Sequence, residues 1–319
     1  MKKRNPTNLP ASIHQRLMNL ARATGRPFNE LLQHYAIERF LFRLGRSRHA
    51  SAFVLKGALM LRAWESPLAR PTRDIDLLGR TENAVENVVA TIQECLVTEV
   101  PEDGLSFDPG KVRGESIILD AKYQGIRIGA EGRLGQARVS LQVDVGFGDA
   151  IVPGPVTIEY PELLDFGRPR LLGYTPESAV AEKFQAMVEL ELANTRMKDF
   201  YDIWSLARRR PFDGEILAQA IRSTFVRRGT PLPEEPPPAL TAAFSESKTK
   251  QSQWKAFLRK GRLENDAATL GEVVAVLSDF LMPLATALAA GDPFRMVWPP
   301  PGPWQARDPL PTGLDQKAG

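Results

Sequence analysis

Apolar positions recur with a helical period near both ends of the chain and with a strand period between them. Ile13, Leu17, Leu20 and Ala21 share one helical face. Gly25-Arg26-Pro27 breaks that pattern, and Phe28, Leu31, Leu32, Tyr35, Phe40 and Leu41 resume it. The spacing predicts two helices over 11–45, the second stopped by Gly45. Residues 51–55 read as a short strand, Lys56-Gly57-Ala58 as a turn and 59–64 as a helix, after which Pro67 and Pro71 mark a loop. Residues 73–78 have the apolar content of a buried strand, interrupted by Asp74 and Asp76. Thr81 is placed to cap a helix that runs to Leu96.

Beyond Leu96 the pattern turns to strands over 115–123, 125–134 and 137–147. In the last of these, Val139, Leu141, Val143 and Val145 face one way, and Ser140, Gln142, Asp144 and Gly146 the other. Residues 156–160 and 170–174 add two short strands. Thr175-Pro176-Glu177 is a helix start, a capping hydroxyl with proline at the first helical position. It opens a helix to Leu192, and a second follows over 198–208, before Pro211. Residues 213–290 read as mostly helical with a proline-rich break at 231–238. From Asp292 the prolines predict an extended or disordered tail. No internal repeat interrupts this order. It predicts an N-terminal helical arm over 1–50, a core of strands and helices over 51–175, a helical C-terminal domain over 176–291 and a Pro-rich tail over 292–319. The fold class is α/β (α+β).

Composition adds mostly exclusions. A chain of 319 residues is long enough for two domains with sizeable cores. The 43% hydrophobic and 25% charged content excludes global disorder. The single cysteine, Cys95, excludes an intrachain disulfide framework and a Cys-rich zinc site, and three histidines argue against a His-rich metal site. Lys plus Arg is 41 against 38 for Asp plus Glu, a net charge of +3 that admits a polyanionic partner without requiring one. No run of eighteen apolar residues is present, so no membrane span and no membrane partner is expected. The basic start Met1-Lys2-Lys3-Arg4 lacks the apolar stretch of a secretory signal, and a cytoplasmic location is expected.

The candidate chemistry centres on Asp74-Ile75-Asp76. Residues i and i+2 of a strand share a face, so both carboxylates point the same way and repel unless a cation lies between them. Hard oxygen ligands imply Mg²⁺ or Mn²⁺. Asp144, on the polar face of another strand, supplies a third carboxylate, and three such groups are the usual cradle of two-metal phosphoryl chemistry. Taken singly, Asp74 and Asp76 also read as partners of Arg70 and Arg73, and Asp144 as a solvated strand residue. Upstream, a strand enters a glycine turn and then a helix at Lys56-Gly57-Ala58, a natural phosphate site because free backbone N–H groups point outward there. An ordinary strand-to-helix turn has the same pattern. Lys183 stands at the edge of an apolar helix face, where it can snorkel to solvent or aim its ammonium at phosphates. Asp199 and Asp202 lie a turn apart and read equally as surface charge paired with Arg196 and Lys198.

Together these residues resemble the DNA polymerase β-like nucleotidyltransferase superfamily, and more closely the AbiEii toxin family, which includes the MenT toxins. Lys56-Gly57-Ala58 followed by Arg70-Pro71-Thr72-Arg73-Asp74-Ile75-Asp76 is similar to motif I, and Asp144 to motif II. Lys183 with Ala186 is similar to motif III, and Arg196-Met197-Lys198-Asp199 through Asp202 to motif IV. The resemblance spans about residues 9–210, with Ala58 standing where the family has Gly or Ser. It implies a polymerase β-like core with a mixed sheet, and a metal-dependent nucleotidyltransferase toxin of a toxin–antitoxin system with phage-defence (abortive infection) relatives. Asp74, Asp76 and Asp144 would be the metal and catalytic carboxylates, joined by Lys183 and Asp199. Lys56, Gly57, Ala58 and Thr72 would border the NTP. A phosphate on Thr72 would add about −1.5 to −2 charge beside the metal site. The implied partners are NTP, an RNA acceptor at the tRNA 3′ end and a separate antitoxin, AbiEi-like. The sequence offers Arg208-Arg209-Arg210, or Arg222 with Arg227-Arg228, to grip an RNA, although a basic helix end such as the first equally well simply complements the helix dipole. Two other readings are a protein-modifying, AMP-transferring enzyme and a non-catalytic nucleotide- or RNA-binding module.

Overall fold

Ten α-helices and a mixed sheet are present among the described residues of this computed structural model, 8–65, 72–119, 123–264 and 268–307. The chain divides into two units, Met1–Thr175 and Pro176–Gly319.

In the first unit, α1 (Leu9–Thr24) and α2 (Phe28–Arg46) precede β1 (Phe53–Lys56), α3 (Ala58–Glu65), β2 (Asp74–Gly79) and α4 (Val85–Leu96). Strands β3 (Leu105–Phe107), β4 (Arg113–Leu119), β5 (Tyr123–Leu134), β6 (Ala137–Phe147), β7 (Val156–Glu159) and β8 (Arg170–Gly173) follow. The sheet runs β3-β5-β6-β2-β1-β8-β7, with β4 also paired to β5. Pairs β2–β6 and β1–β8 are parallel and the others antiparallel. Alternation sets the buried face: Ile75 and Leu77 of β2, Ile126 and Ile128 of β5, and Val139, Leu141, Val143 and Val145 of β6 join one core with α2 and α4.

Two expected boundaries are corrected. Helix α4 begins at Val85 with no side-chain cap, and Thr81 instead accepts a hydrogen bond from the Asn87 amide. Gly45 does not stop α2, which continues to Arg46. A Cβ at Gly45 would fall 2.2 Å from the Arg170 carbonyl oxygen, so the glycine is there to let β8 approach the helix.

The second unit holds α5 (Pro176–Leu190), α6 (Met197–Arg209), β9 (Phe212–Asp213), α7 (Gly214–Arg228), α8 (Ala242–Ser245), α9 (Lys248–Gly261) and α10 (Leu270–Ala290). Strands β10 (Met296–Trp298) and β11 (Gln305–Ala306) complete a small sheet with β9. The tail expected to be extended or disordered therefore pairs in its described part: Trp298 is buried and donates to the Ala207 carbonyl at 2.7 Å. Residues 308–319 lie outside the described residues. Helix α10 is long and apolar enough to cross a membrane by length and composition, although half of that stretch is buried inside the protein. A core helix is apolar for the same reason a membrane helix is, and Val273, Leu277, Phe280, Leu281 and Leu284 of α10 are buried core residues.

Candidate active site

Strand β2 opens with the Asp-x-Asp pair. Ile75 and Leu77 enter the core, so Asp74 and Asp76 share the other face, the first exposed and the second half-buried. Strand β6 runs parallel to β2 with Asp144 in register with Asp76. All three carboxylates therefore stand on one sheet face, Asp144 one strand spacing, about 4.8 Å, from Asp76.

On the other side of β2, Lys56 pairs in register with Asp76 and Gly57 turns the chain into α3 with a φ of 70°. A Cβ on Gly57 would fall 2.0 Å from Asp76 Oδ2, so only glycine lets the turn lie against the carboxylate. Ala58 is the first residue of α3, whose free N–H groups begin at this turn. Lys56 Nζ reaches Asp149 Oδ2 at 2.6 Å and lies 5.3 Å from the centre of the Tyr174 ring. The Thr72 hydroxyl donates to the Asp74 carbonyl at 3.4 Å. Arg70 lies outside the described residues.

Arg127 is the residue that sequence reasoning missed. From β5 it donates to both Asp144 oxygens at 2.8 Å, and Gln142 Nε2 is 3.4 Å from each. The hydrogen bond to Asp144 raises the Arg127 pKa above its ordinary value; burial opposes this, and the charges of Asp144, Asp74 and Glu115 add to it. A signal for this pair was present. The two-residue turn Gly135-Gln136 pairs Leu134 with Ala137, and Arg127 and Asp144 stand equally far from that turn along the hairpin. Among the described residues no group of three or more acidic, His or Cys side chains is arranged to hold a metal. Asp74 and Asp76 fit a hard divalent ion as oxygen donors. Asp144 can join them only through the lone pairs left by Arg127, since a carboxylate offers about four.

In the second unit, Lys183 of α5 donates to Asp199 Oδ1 at 2.6 Å and to Asp202 Oδ2 at 2.8 Å. Both aspartates, on α6, are fully buried, so neither is a surface charge. Arg196 Nε lies 2.5 Å from Asp199 Oδ2. Burial alone would push the Asp199 pKa up. Lys183, Arg196 and Lys198 outweigh it and hold the carboxyl below its ordinary range. Arg208 and Arg209 are exposed at the end of α6, Arg208 lying 4.8 Å from the centre of the Trp204 ring.

A family model described as the nucleotidyl transferase AbiEii toxin of a type IV toxin–antitoxin system matches residues 39–276. The chain belongs to the AbiEii family. This AbiEii protein is thus a toxin nucleotidyltransferase, and its family implies a nucleotide substrate and an antitoxin partner. Two solved structures are similar to it. JHP933 from Helicobacter pylori is 15% identical over 79% of this chain and 89% of that one, with a TM-score of 0.43. An H. pylori protein described as a "putative nucleotidyltransferase" is 15% identical over 88% and 95%, also with a TM-score of 0.43. None of the curated proteins matches the chain.

Proposed function

We propose that this AbiEii protein transfers a nucleoside monophosphate from an NTP to an RNA hydroxyl, at the tRNA 3′ end, with a divalent cation, Mg²⁺ or Mn²⁺, and thereby blocks translation in the cytoplasm. The observation that carries the reading is the closeness of Gly57 to Asp76, which sets a phosphate-binding turn directly against the carboxylate face. Asp74 and Asp76 would hold the cation, which when bound neutralises phosphate charge. Gly57 and Ala58 offer backbone N–H groups to the phosphates. Ala58 has no hydroxyl, so phosphate binding rests on the backbone and on cations such as Lys56. Asp144 accepts the proton of the attacking hydroxyl through a lone pair that Arg127 leaves open. The hydroxyl oxygen forms a bond to the α-phosphorus, the bond to the bridging oxygen breaks, and pyrophosphate leaves. For Lys183 and Asp199, bonded to each other in the second unit, the family resemblance is the ground for a role in transfer, and the antitoxin is a separate, AbiEi-like protein.

The test is incubation with each of the four labelled NTPs, purified tRNA and total protein, with and without chelator. Label is expected on the tRNA 3′ end, lost with chelator and lost in Asp76→Ala. Label on protein and none on RNA would replace this reading with the protein-modifying one.

A further inference from the structure

A cleft of about 750 Å³ opens beside Asp74 in the first unit. It lies where β2 starts: Asp74 pairs with Gln142, whereas β6 continues back through Leu141 and Ser140 to Ala137. Arg73, Arg113 and Arg127 line it, against the two acids Asp74 and Glu115. Arg113 is anchored by bonds to the Gly110 and Val112 carbonyls, each 2.8 Å, and Arg73 is exposed. The start of α2 contributes two side-chain amides, Asn29 and Gln33. Gln33 Nε2 donates to the Ser140 carbonyl at 2.8 Å, which fixes the amide at the cleft.

The cleft and the phosphate turn approach the carboxylates from different sides. Gly57 meets Asp76 from β1, whereas the cleft reaches Asp74 from β6, β5 and β4. In-line displacement at phosphorus puts the attacking and leaving oxygens on opposite sides. With the triphosphate over Gly57, the attacking hydroxyl comes from the cleft. We infer that this cleft is the entry path of the acceptor, and that it takes a single-stranded RNA 3′ end. Arg73 and Arg113 bind successive phosphates while Arg127 stays on Asp144, and Asn29 and Gln33 bond to base edges. A protein hydroxyl would bring no such series of anions to Arg73 and Arg113. The inference rests on the nucleotidyl-transfer reading above, and its step is the one given there, with the RNA 3′-oxygen as the attacking atom.

Gly129 allows a clean test. It lines the cleft in mid-strand, its φ lies outside the left-handed region, and a Cβ there would meet nothing within 4 Å. An aromatic residue suits a strand, so Gly129→Phe fills the cleft without displacing the core. The measurements are transfer to a single-stranded oligoribonucleotide with a free 3′-hydroxyl, and NTP binding by equilibrium dialysis with Mg²⁺. The expected result is a rise of about tenfold or more in KM for the RNA, with NTP affinity and melting temperature at wild-type values. Arg73→Ala and Arg113→Ala should each weaken RNA binding and flatten its salt dependence, by about 0.7 in log–log slope for each phosphate no longer neutralised. Unchanged KM and salt slope in all three variants would overturn the cleft assignment while leaving RNA transfer intact. Loss of NTP affinity in Gly129→Phe would assign the cleft to the nucleotide instead. A wild-type protein that labels protein but no RNA would overturn both the cleft assignment and the reading beneath it.

Discussion

One added carbon at Gly57 would strike the Asp76 carboxylate, and the backbone there is left-handed. Gly57→Ala should therefore cost about 1–2 kcal/mol from φ alone, and it should displace Asp76 as well. Its melting temperature and its nucleotide transfer are expected to fall together. Asp76→Ala should lose transfer while its circular dichroism still shows a folded protein, since the substitution removes an oxygen donor for the cation. An active, folded Asp76→Ala would remove that carboxylate from the chemistry. At Lys183 the balance is reversed. The ammonium is the shared partner of two fully buried aspartates, and breaking a buried pair by removing one member costs about 3–5 kcal/mol. Lys183→Met should lose stability of that order in urea unfolding, and pairing it with Asp199→Asn should recover part of the loss. A Lys183→Met protein as stable as wild type would mean that the aspartates do not depend on it. The carboxylates Asp74 and Asp76 were legible in the sequence because strand alternation alone puts them on one face. The burial of Asp199 and Asp202 was not, because flanking Arg196 and Lys198 give that segment the look of a solvated surface.

Elements were legible where one face is apolar and the other polar, as in β6, whose burial alternates from Arg138 to Val143 before both faces become buried through Gly146. Helix α2 departs from that rule. Residues 34–44 are buried all round, including Glu38, Arg39 and Arg43. Its charges face partners instead of solvent: Arg43 makes a bidentate bond to Asp103 at 2.6 and 3.0 Å, and Arg39 lies 2.8 Å from Glu38. Gly45 shows the same limit of local reading. A glycine late in a helical pattern signals a stop, yet at this position the requirement is space for the Arg170 carbonyl. Helix propensity favours Gly45→Ala by about 1 kcal/mol, but forcing a methyl against backbone typically costs about 1–3 kcal/mol. Because the obstacle is a main-chain oxygen that cannot swing aside, the variant should be less stable, read as a lower urea midpoint. A higher midpoint would mean that β8 shifts to make room.

Across the whole chain, the pairings that assemble the carboxylate face join distant segments: Asp76 with Asp144, and Leu55 with Gly173. No local periodicity reports such partners: alternation puts Asp74 and Asp76 on one face, whereas the register of Asp144 with Asp76 comes only from the long-range pairing of β2 with β6. The pH response of the fold likewise emerges from groups brought together over long separations. His34 bonds Tyr160 at 3.1 Å, and Glu38 accepts from the Leu163 N–H at 2.7 Å. Burial, then the charges of Arg62 and Arg26, hold His34 well below its ordinary pKa. Burial pushes Glu38 up to about 7, although Arg39, the Leu163 N–H and Arg62 pull the other way. The two groups act in opposite senses. Below about pH 6.5 the unfolded chain protonates His34 and the folded one does not, so stability falls with falling pH. Between about pH 7 and 4.3 the folded chain holds a proton on Glu38 that the unfolded chain has lost, so stability rises with falling pH. Wild type should therefore change little between about pH 7 and 5. Glu38→Gln removes the second contribution and leaves the first, so its urea midpoint should drop more steeply over that interval than that of wild type. Parallel slopes for the two proteins would show that Glu38 binds no extra proton in the folded state and that Arg39 keeps it ionised throughout.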